Sequence, residues 1–420
     1  MPHRLDQGKS AEQLRKEREQ RVADAIALKP TDRVPVLVPI GYFPGKVVGI
    51  PCSAAYYDFD SWYDAYNKVL PDYPADMIFS QPFTPGKSLE ILAPYQMRWP
   101  GFNCNPNSGH QAVEAENMTP DEYDAYISDP SDYMFRIHMS RISEKLAGLA
   151  KLPKLSDLNG GMGAQMLAWS MSDPDVEVAV STLQEAGREM RKWRSHQDKF
   201  NQMIFDHGFP TYFQGAAMPS YDIIANSMRG MTGTMQDIFR KPDKLIEACE
   251  KVLELTLARP APPPSPLGHR RMFMTNTRGS DDFMSTKHFD MFYWPTFRKL
   301  VMTLIERGMT PCIFFEGNFT SRLEYLLEFP KGKILAKLDT TDIFRAKEIL
   351  KDHVCIDGNV PSSLLQVGTV DQVKEYCKKL IDVVGKGGGY IMSPRSSTDE
   401  VKPENLKALI DFTQEYGVYS

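Results

Sequence analysis

The chain has 420 residues, 42% hydrophobic and 25% charged, which supplies a sizeable core and excludes the composition of a disordered chain. A formal net charge of -5 argues against a general nucleic-acid binder, which needs a basic face to neutralise phosphates. Six cysteines without C-x-x-C spacing are too sparse for a disulfide framework, and no signal-like or membrane-length apolar run occurs, so a cytoplasmic protein without a membrane span is expected.

In chain order, Ser10 with Gln13 forms a capping-box start for a charged helix that runs to about Leu28 and stops at Pro30. Its polarity predicts a helix lying outside the main fold, so residues 1–30 read as an N-terminal helical extension and 31–420 as one domain. Residues 34–39 (VPVLVP) are a short apolar run bounded by turn formers, the pattern of a buried parallel strand. Similar runs follow at 77–80, 211–214, 272–276, 312–315, 334–338, 354–357 and 390–393. Helical stretches are expected at 286–307, 319–327, 343–350, 370–384 and 403–416, with helical insertions over 121–207. The segment 259–266 (RPAPPPSP) excludes helix and central strand alike and reads as a stiff connector. Eight strands alternating with helices predict a (β/α)8 barrel, the TIM-barrel form of the α/β class.

In such a barrel the chemistry sits at the C-terminal ends of the strands. The candidates there are Tyr42, Gln81, Gln214, Met218, Asp281, Asp282, Glu316, Asn318, Asp339, Asp342, Asn359, Arg395 and Ser396.

From FEGN through LDTTD, IDGNVP and GGGYIMSP to PENLKALI, residues 315–416 resemble the C-terminal part of the uroporphyrinogen decarboxylase superfamily. Weaker similarity extends upstream through SDDFMSTKHFDMFYWPTF and YFQGAAMPSYDIIA to DRVPV. The resemblance implies one of two activities. Decarboxylases of the family carry an arginine-rich loop after the first strand that grips a polyanionic porphyrinogen; here that loop reads GYFPGK, without arginine. The methyltransferase branch carries a His-x-Cys and Cys zinc site after the fifth and eighth strands, where this chain has Glu316, Asn318 and the turn at 394–397. Relatives that demethylate methyl ethers imply a harder zinc site, with Glu316 as its first ligand.

The resemblance therefore implies a methyltransferase that passes a methyl group from a small donor, an aromatic methyl ether being one such donor, to the corrinoid (cobalamin) of a partner protein. Glu316 would polarise or protonate the leaving oxygen. The alternative is a barrel lyase or decarboxylase on a non-porphyrin substrate, with Asp282 or Lys337 transferring the proton. A homodimer is one assembly open to the chain.

Each candidate also has a plainer reading. Asp281 and Asp282 have the composition of a helix cap ahead of Ser285. Strand alternation puts Lys337 and Asp339 on one face, as an ion pair or as a proton-transfer pair. Asn359 reads as a substrate contact or a turn residue, Arg395 as an anion binder or a surface arginine, and His110 as part of a lid or a plain loop. His353 and Cys355 have ligand-pair spacing but lie at or inside a strand, and methionines such as Met218 read as core filler or as lining of a soft pocket.

Overall fold

The computed structural model describes residues 8–419, so the first seven residues of the expected N-terminal extension lie outside it. Eight parallel strands form the centre: β1 (Leu37–Gly41), β2 (Met77–Ser80), β3 (Gly215–Ala216), β4 (Arg271–Asn276), β5 (Thr310–Phe315), β6 (Leu335–Leu338), β7 (Cys355–Asp357) and β8 (Tyr390–Ile391). Strands β3 to β8 form one sheet in sequential order, and β1 pairs with β2. A parallel bridge between Val36 and Met392, with Leu37 N–H donating to Met392 O at 2.9 Å, sets β1 beside β8. Among the described residues no backbone pairing joins β2 to β3; there the rings of Phe79 and Phe213 meet edge to face with centroids 5.7 Å apart.

The eight apolar runs become these eight strands with one displacement. The third run, 211–214, is irregular, and pairing begins at Gly215, because Gln214 and Arg271 knit the chain here through side chains: Arg271 N–H donates to Gln214 Oε1 at 2.8 Å and Arg271 Nε to Tyr212 O at 2.6 Å.

Alternation divides each strand between two environments. Outward residues, such as Val38, Ile78, Met274, Ile313, Ala336, Ile356 and Met392, join the large core packed against surrounding helices. Helix α1 (Ala11–Ile26) precedes the strands, and the surrounding helices include α2 (Pro174–Asp206), α3 (Trp294–Glu306), α4 (Ile343–Leu350), α5 (Val370–Val383) and α6 (Pro403–Tyr416). Inward residues Leu37, Met77, Cys312, Leu335, Cys355 and Ile391 meet Tyr212 in a separate cluster, so strands from opposite ends of the order converge on one interior.

Helix α1 starts at the predicted Ser10–Gln13 capping box. It differs from the sequence expectation in position: Val22, Ala25 and Ile26 belong to the interior cluster, and the helix stoppers the N-terminal end of the strands. Its mostly charged sequence hid a narrow apolar stripe, and its buried Glu19 pairs with Arg271 at 3.2 Å. Residues 259–265 have no regular structure, as the prolines dictate, although Ser265 is buried. All six cysteines are free, and among the described residues no helix is long and apolar enough to cross a membrane.

Candidate active site

A cavity of about 360 Å³ occupies the upper interior, at the C-terminal ends of the strands. Its floor is Leu37, Cys312 and Tyr212, the top of the interior cluster. Its walls are Pro39, Phe79, Phe213, Phe273 and Phe314 with Thr275 and Lys337 among them, and a polar rim includes Tyr42, Gln81, His110, Glu316, Ser396 and Asp399. No arginine lines it.

Glu316 follows β5 and continues its inward alternation after Cys312 and Phe314. Its N–H donates to Asn276 O at 3.1 Å, and Gly317, at φ +96, turns the chain out of the strand. Glu316 is exposed to the cavity and its mouth, with protein packed around part of the carboxyl. That partial burial, with Asp339 nearby, pushes it above the usual glutamate range, while Arg278 acts in the opposite sense. Arg278 itself is held by Asn226 Oδ1 at 2.7 Å.

Lys337 points inward from β6. Sequence spacing paired it with Asp339; the structure corrects this, because the β6–β7 register sets Asp357 directly beside it. Its Nζ donates to Ser393 Oγ at 2.7 Å and Pro394 O at 2.9 Å, and lies 3.7 Å from Asp357 Oδ1. Ser393 in turn donates to Asp357, which is fully buried. Burial presses both partners towards their neutral forms, lowering the ammonium and raising the carboxyl, and their mutual attraction opposes it.

At the rim, Gly41 has φ +40, and a Cβ there would fall 2.5 Å from Asp399 Oδ1, so glycine is required for Asp399 to accept from Tyr42 N–H at 2.7 Å. Tyr42 is thereby fixed, its hydroxyl 2.9 Å from Tyr56 Oη and 3.1 Å from His110 Nδ1. Burial raises both phenols, Tyr56 to about 12 and Tyr42 further.

Of the candidates read from sequence, Tyr42, Gln81, His110, Glu316, Lys337 and Ser396 come together on this cavity. The others do not. Asp282 is exposed and away from it, and Met218 is half-buried elsewhere. Asp281 accepts from Ser321 N–H and Oγ, while Ser285 itself caps the following turn. Gln214 belongs to the lower end described above, and Asn318 accepts from Thr320 N–H and Oγ1 to start a helical turn. Asp342 caps α4. Asp339 accepts from Gly317 N–H at 3.0 Å, and Asn359 Nδ2 donates to Asp339 O and Thr341 O, bracing the loop from behind. Arg395 lies 3.9 Å from Asp339 outside the lining, and His353 bonds Phe329 O below.

Sequence reasoning missed Asp357, Ser393 and Asp399 as site residues. The inward parity of the run 354–357 would have found Asp357 once the register was known. Among the described residues no group of three or more His, Cys, Asp or Glu side chains could hold a metal ion. The donor set around Glu316 therefore does not fit the zinc site that the resemblance implied, and no chemical step is derived through a metal.

Residues 216–416 match the family described as uroporphyrinogen decarboxylase. The uroporphyrinogen decarboxylase of Chlorobium phaeobacteroides is 32% identical over 81 residues, 18% of this chain, and the match spans only 23% of that relative's length. Among solved structures, a methyltransferase from Methanosarcina mazei superposes with a TM-score of 0.59 at 14% identity, covering 95% of this chain and 98% of that one, a likeness of fold. The matched region, just under half of the chain, includes β4 to β8, Glu316 and the Lys337–Asp357 pair, and over it the chain is similar to that family.

Proposed function

We propose that this protein transfers a methyl group from a small, largely apolar methylated donor, an aromatic methyl ether, to the corrinoid of a separate partner protein. One observation carries the reading: the cavity is walled by aromatic rings, holds no arginine, and has a single carboxyl of raised proton affinity, Glu316, beside its mouth. A polyanionic porphyrinogen would find no bidentate clamp there, since the one lining cation, Lys337, is a single ammonium that already donates to Ser393 Oγ and Pro394 O. A volume of about 360 Å³ suits a single substituted ring.

The corrinoid, when its carrier docks at the mouth, supplies the nucleophile that accepts the methyl group. This chain's part is to hold the ring between the phenylalanines, exclude water from its faces and protonate the departing oxygen. An ether oxygen leaves poorly as an anion, so Glu316 in its acid form donates a proton to it as the carbon–oxygen bond breaks, and the carboxylate that remains is reprotonated from solvent at the rim.

Mixing the protein with a reduced corrinoid protein and aromatic methyl ethers should bleach the Co(I) absorbance as the methyl group moves. Decarboxylation of a porphyrinogen without any such bleaching would overturn the reading. A lyase acting on a non-porphyrin substrate is the second reading, supported by the buried Lys337–Asp357 pair at the cavity; Asp282, its other sequence candidate, is away from the cavity.

A further inference from the structure

Helix α2, the longest in the chain, reaches past the strands it packs against. At its C-terminal end the carbonyls of His207 and Gly208 accept from Arg18 of α1, the helix that stoppers the base. Farther up, Trp193 Nε1 donates to Phe83 O, just after β2 and beside the cavity rim at Gln81. The part of α2 from Trp193 onward therefore spans the height of the strands. The part before it, from Pro174, runs on past the mouth for about 28 Å at 1.5 Å per residue.

This overhang has a core of its own, in which Leu146, Leu149 and Leu152 pack with Val176 and Ala179 apart from the main core. Against it sits a short helix, Gly163–Met171. Its inner face is Gly163, Leu167 and Ser170, spaced i, i+4, i+7 and all buried or partly buried. Met162, Met166 and Trp169 have the same spacing on the outer face and are 64%, 50% and 80% exposed. A surface helix ordinarily turns its large apolar side chains inward. Here they point out, Leu155 and Met171 add exposures of 63% and 42%, and no residue from 158 to 172 carries a charge. The five exposures together equal about three whole large side chains, on the order of 600 Å² at roughly 200 Å² each. That is the upper limit of what a monomeric protein leaves bare, and most of the roughly 800 Å² that one partner brings to a standard specific interface.

We propose that the tip of this arm is the contact between two copies of the chain, joined about a two-fold axis through the outer face of Gly163–Met171. A two-fold contact sets one patch against itself, so any charge near the axis would face its own copy, and the tip is the stretch that has none. A partner recruited by charge complementarity would have nothing to pair with there, and a lipid surface is met by lysine or arginine around a tryptophan, which the tip also lacks. Trp169 supplies a rigid anchor, and the methionines beside it adapt their shape to the opposing copy. Because the arm stands beyond the mouth, joining the tips leaves both cavities open. The inference holds whether or not the protein transfers methyl groups.

Sedimentation equilibrium tests it. The native chain at micromolar concentration should sediment at twice its chain mass. Met166→Lys/Trp169→Lys should halve that mass with an unchanged far-ultraviolet dichroism spectrum, because the arm's own core is untouched. Phe239→Lys, at a ring 75% exposed on another helix, should leave the dimer intact. Where the double variant folds poorly, dilution of the native protein decides instead: amide exchange should rise in residues 163–171 as the copies part, and a rise confined to other segments overturns the assignment. It is also overturned by a native chain that sediments as a monomer, by a dimer that survives the double variant, or by a monomer that floats with phosphatidylserine vesicles, which would give the face to a lipid surface.

Discussion

The two ends of this strand array treat charge in opposite ways. At the N-terminal end the buried ions are closely paired, although Arg33 Nε and Arg271 Nη1 have no hydrogen-bond partner. Asp76 accepts from Arg33 through both of its oxygens, at 2.6 and 2.9 Å, from Arg21 at 2.6 Å and from Val36 N–H at 2.8 Å, and Arg271 is shared among Glu19, Tyr212 O and Thr211 O. At the C-terminal end the ions face a cavity. Glu316 has a raised carboxyl and Lys337 a loosely held partner. Ions paired closely away from any cavity fix a fold, and ions more loosely paired beside a cavity are poised to act on whatever enters it.

Breaking the lower end should have the largest effect. Asp76→Ala leaves two arginines buried without their carboxylate and should cost about 3–5 kcal/mol in urea unfolding. Turnover per folded molecule should be unchanged, since Asp76 is not part of the cavity. The upper end should respond in the inverse manner. Glu316→Gln, in contact with cavity solvent, should change stability by less than about 0.5 kcal/mol while lowering methyl transfer roughly a hundredfold or more. A large loss of stability with normal turnover would make Glu316 scaffolding and reverse the comparison.

This division also explains what could be read from the sequence. The eight strands were legible because inward and outward positions are both apolar along most of each run, as buried parallel strands require. Tyr42, Glu316, Lys337 and Ser396 were legible as strand-end positions, and they do share the cavity. Asn318, Asp339, Asn359 and Asp342 occupy equivalent positions in the chain but turn to backbone groups, because short polar side chains in tight loops satisfy nearby amides and carbonyls first. Only the register across β6 and β7 shows that the partner of Lys337 is Asp357, since pairing between strands leaves no local mark in either one.

A smaller effect separates the ends by acid. Burial alone would raise Asp76, but Arg33 and Arg21 outweigh it and hold the carboxyl at about 2, below the ordinary aspartate value of 3.8. A folded-state value below the unfolded one gives stability that is present above the unfolded pKa and lost as pH falls through the folded one. Lowering pH from about 5 to about 2 should therefore remove about 2 kcal/mol that depends on Asp76, and Asp76→Asn should flatten that limb of the stability curve.

The smallest effect belongs to Glu316 and has the opposite sign. Its folded-state carboxyl is raised, so the folded protein holds this proton more tightly than the unfolded chain does. Stability then declines as pH rises from the ordinary glutamate value of 4.5 through the folded value, and levels off above it. The urea midpoints of native protein and Glu316→Gln should coincide below that window and separate within it, the native protein becoming the less stable. If Glu316 acts as the acid, methyl transfer should fall over the same window, because deprotonation removes the proton that the ether oxygen needs. The neighbouring phenols cannot imitate this, since burial pushes Tyr56 up to about 12 and Tyr42 further. Two curves with one midpoint, one from stability and one from rate, would place the catalytic proton on Glu316; a rate curve with a different midpoint would place it elsewhere.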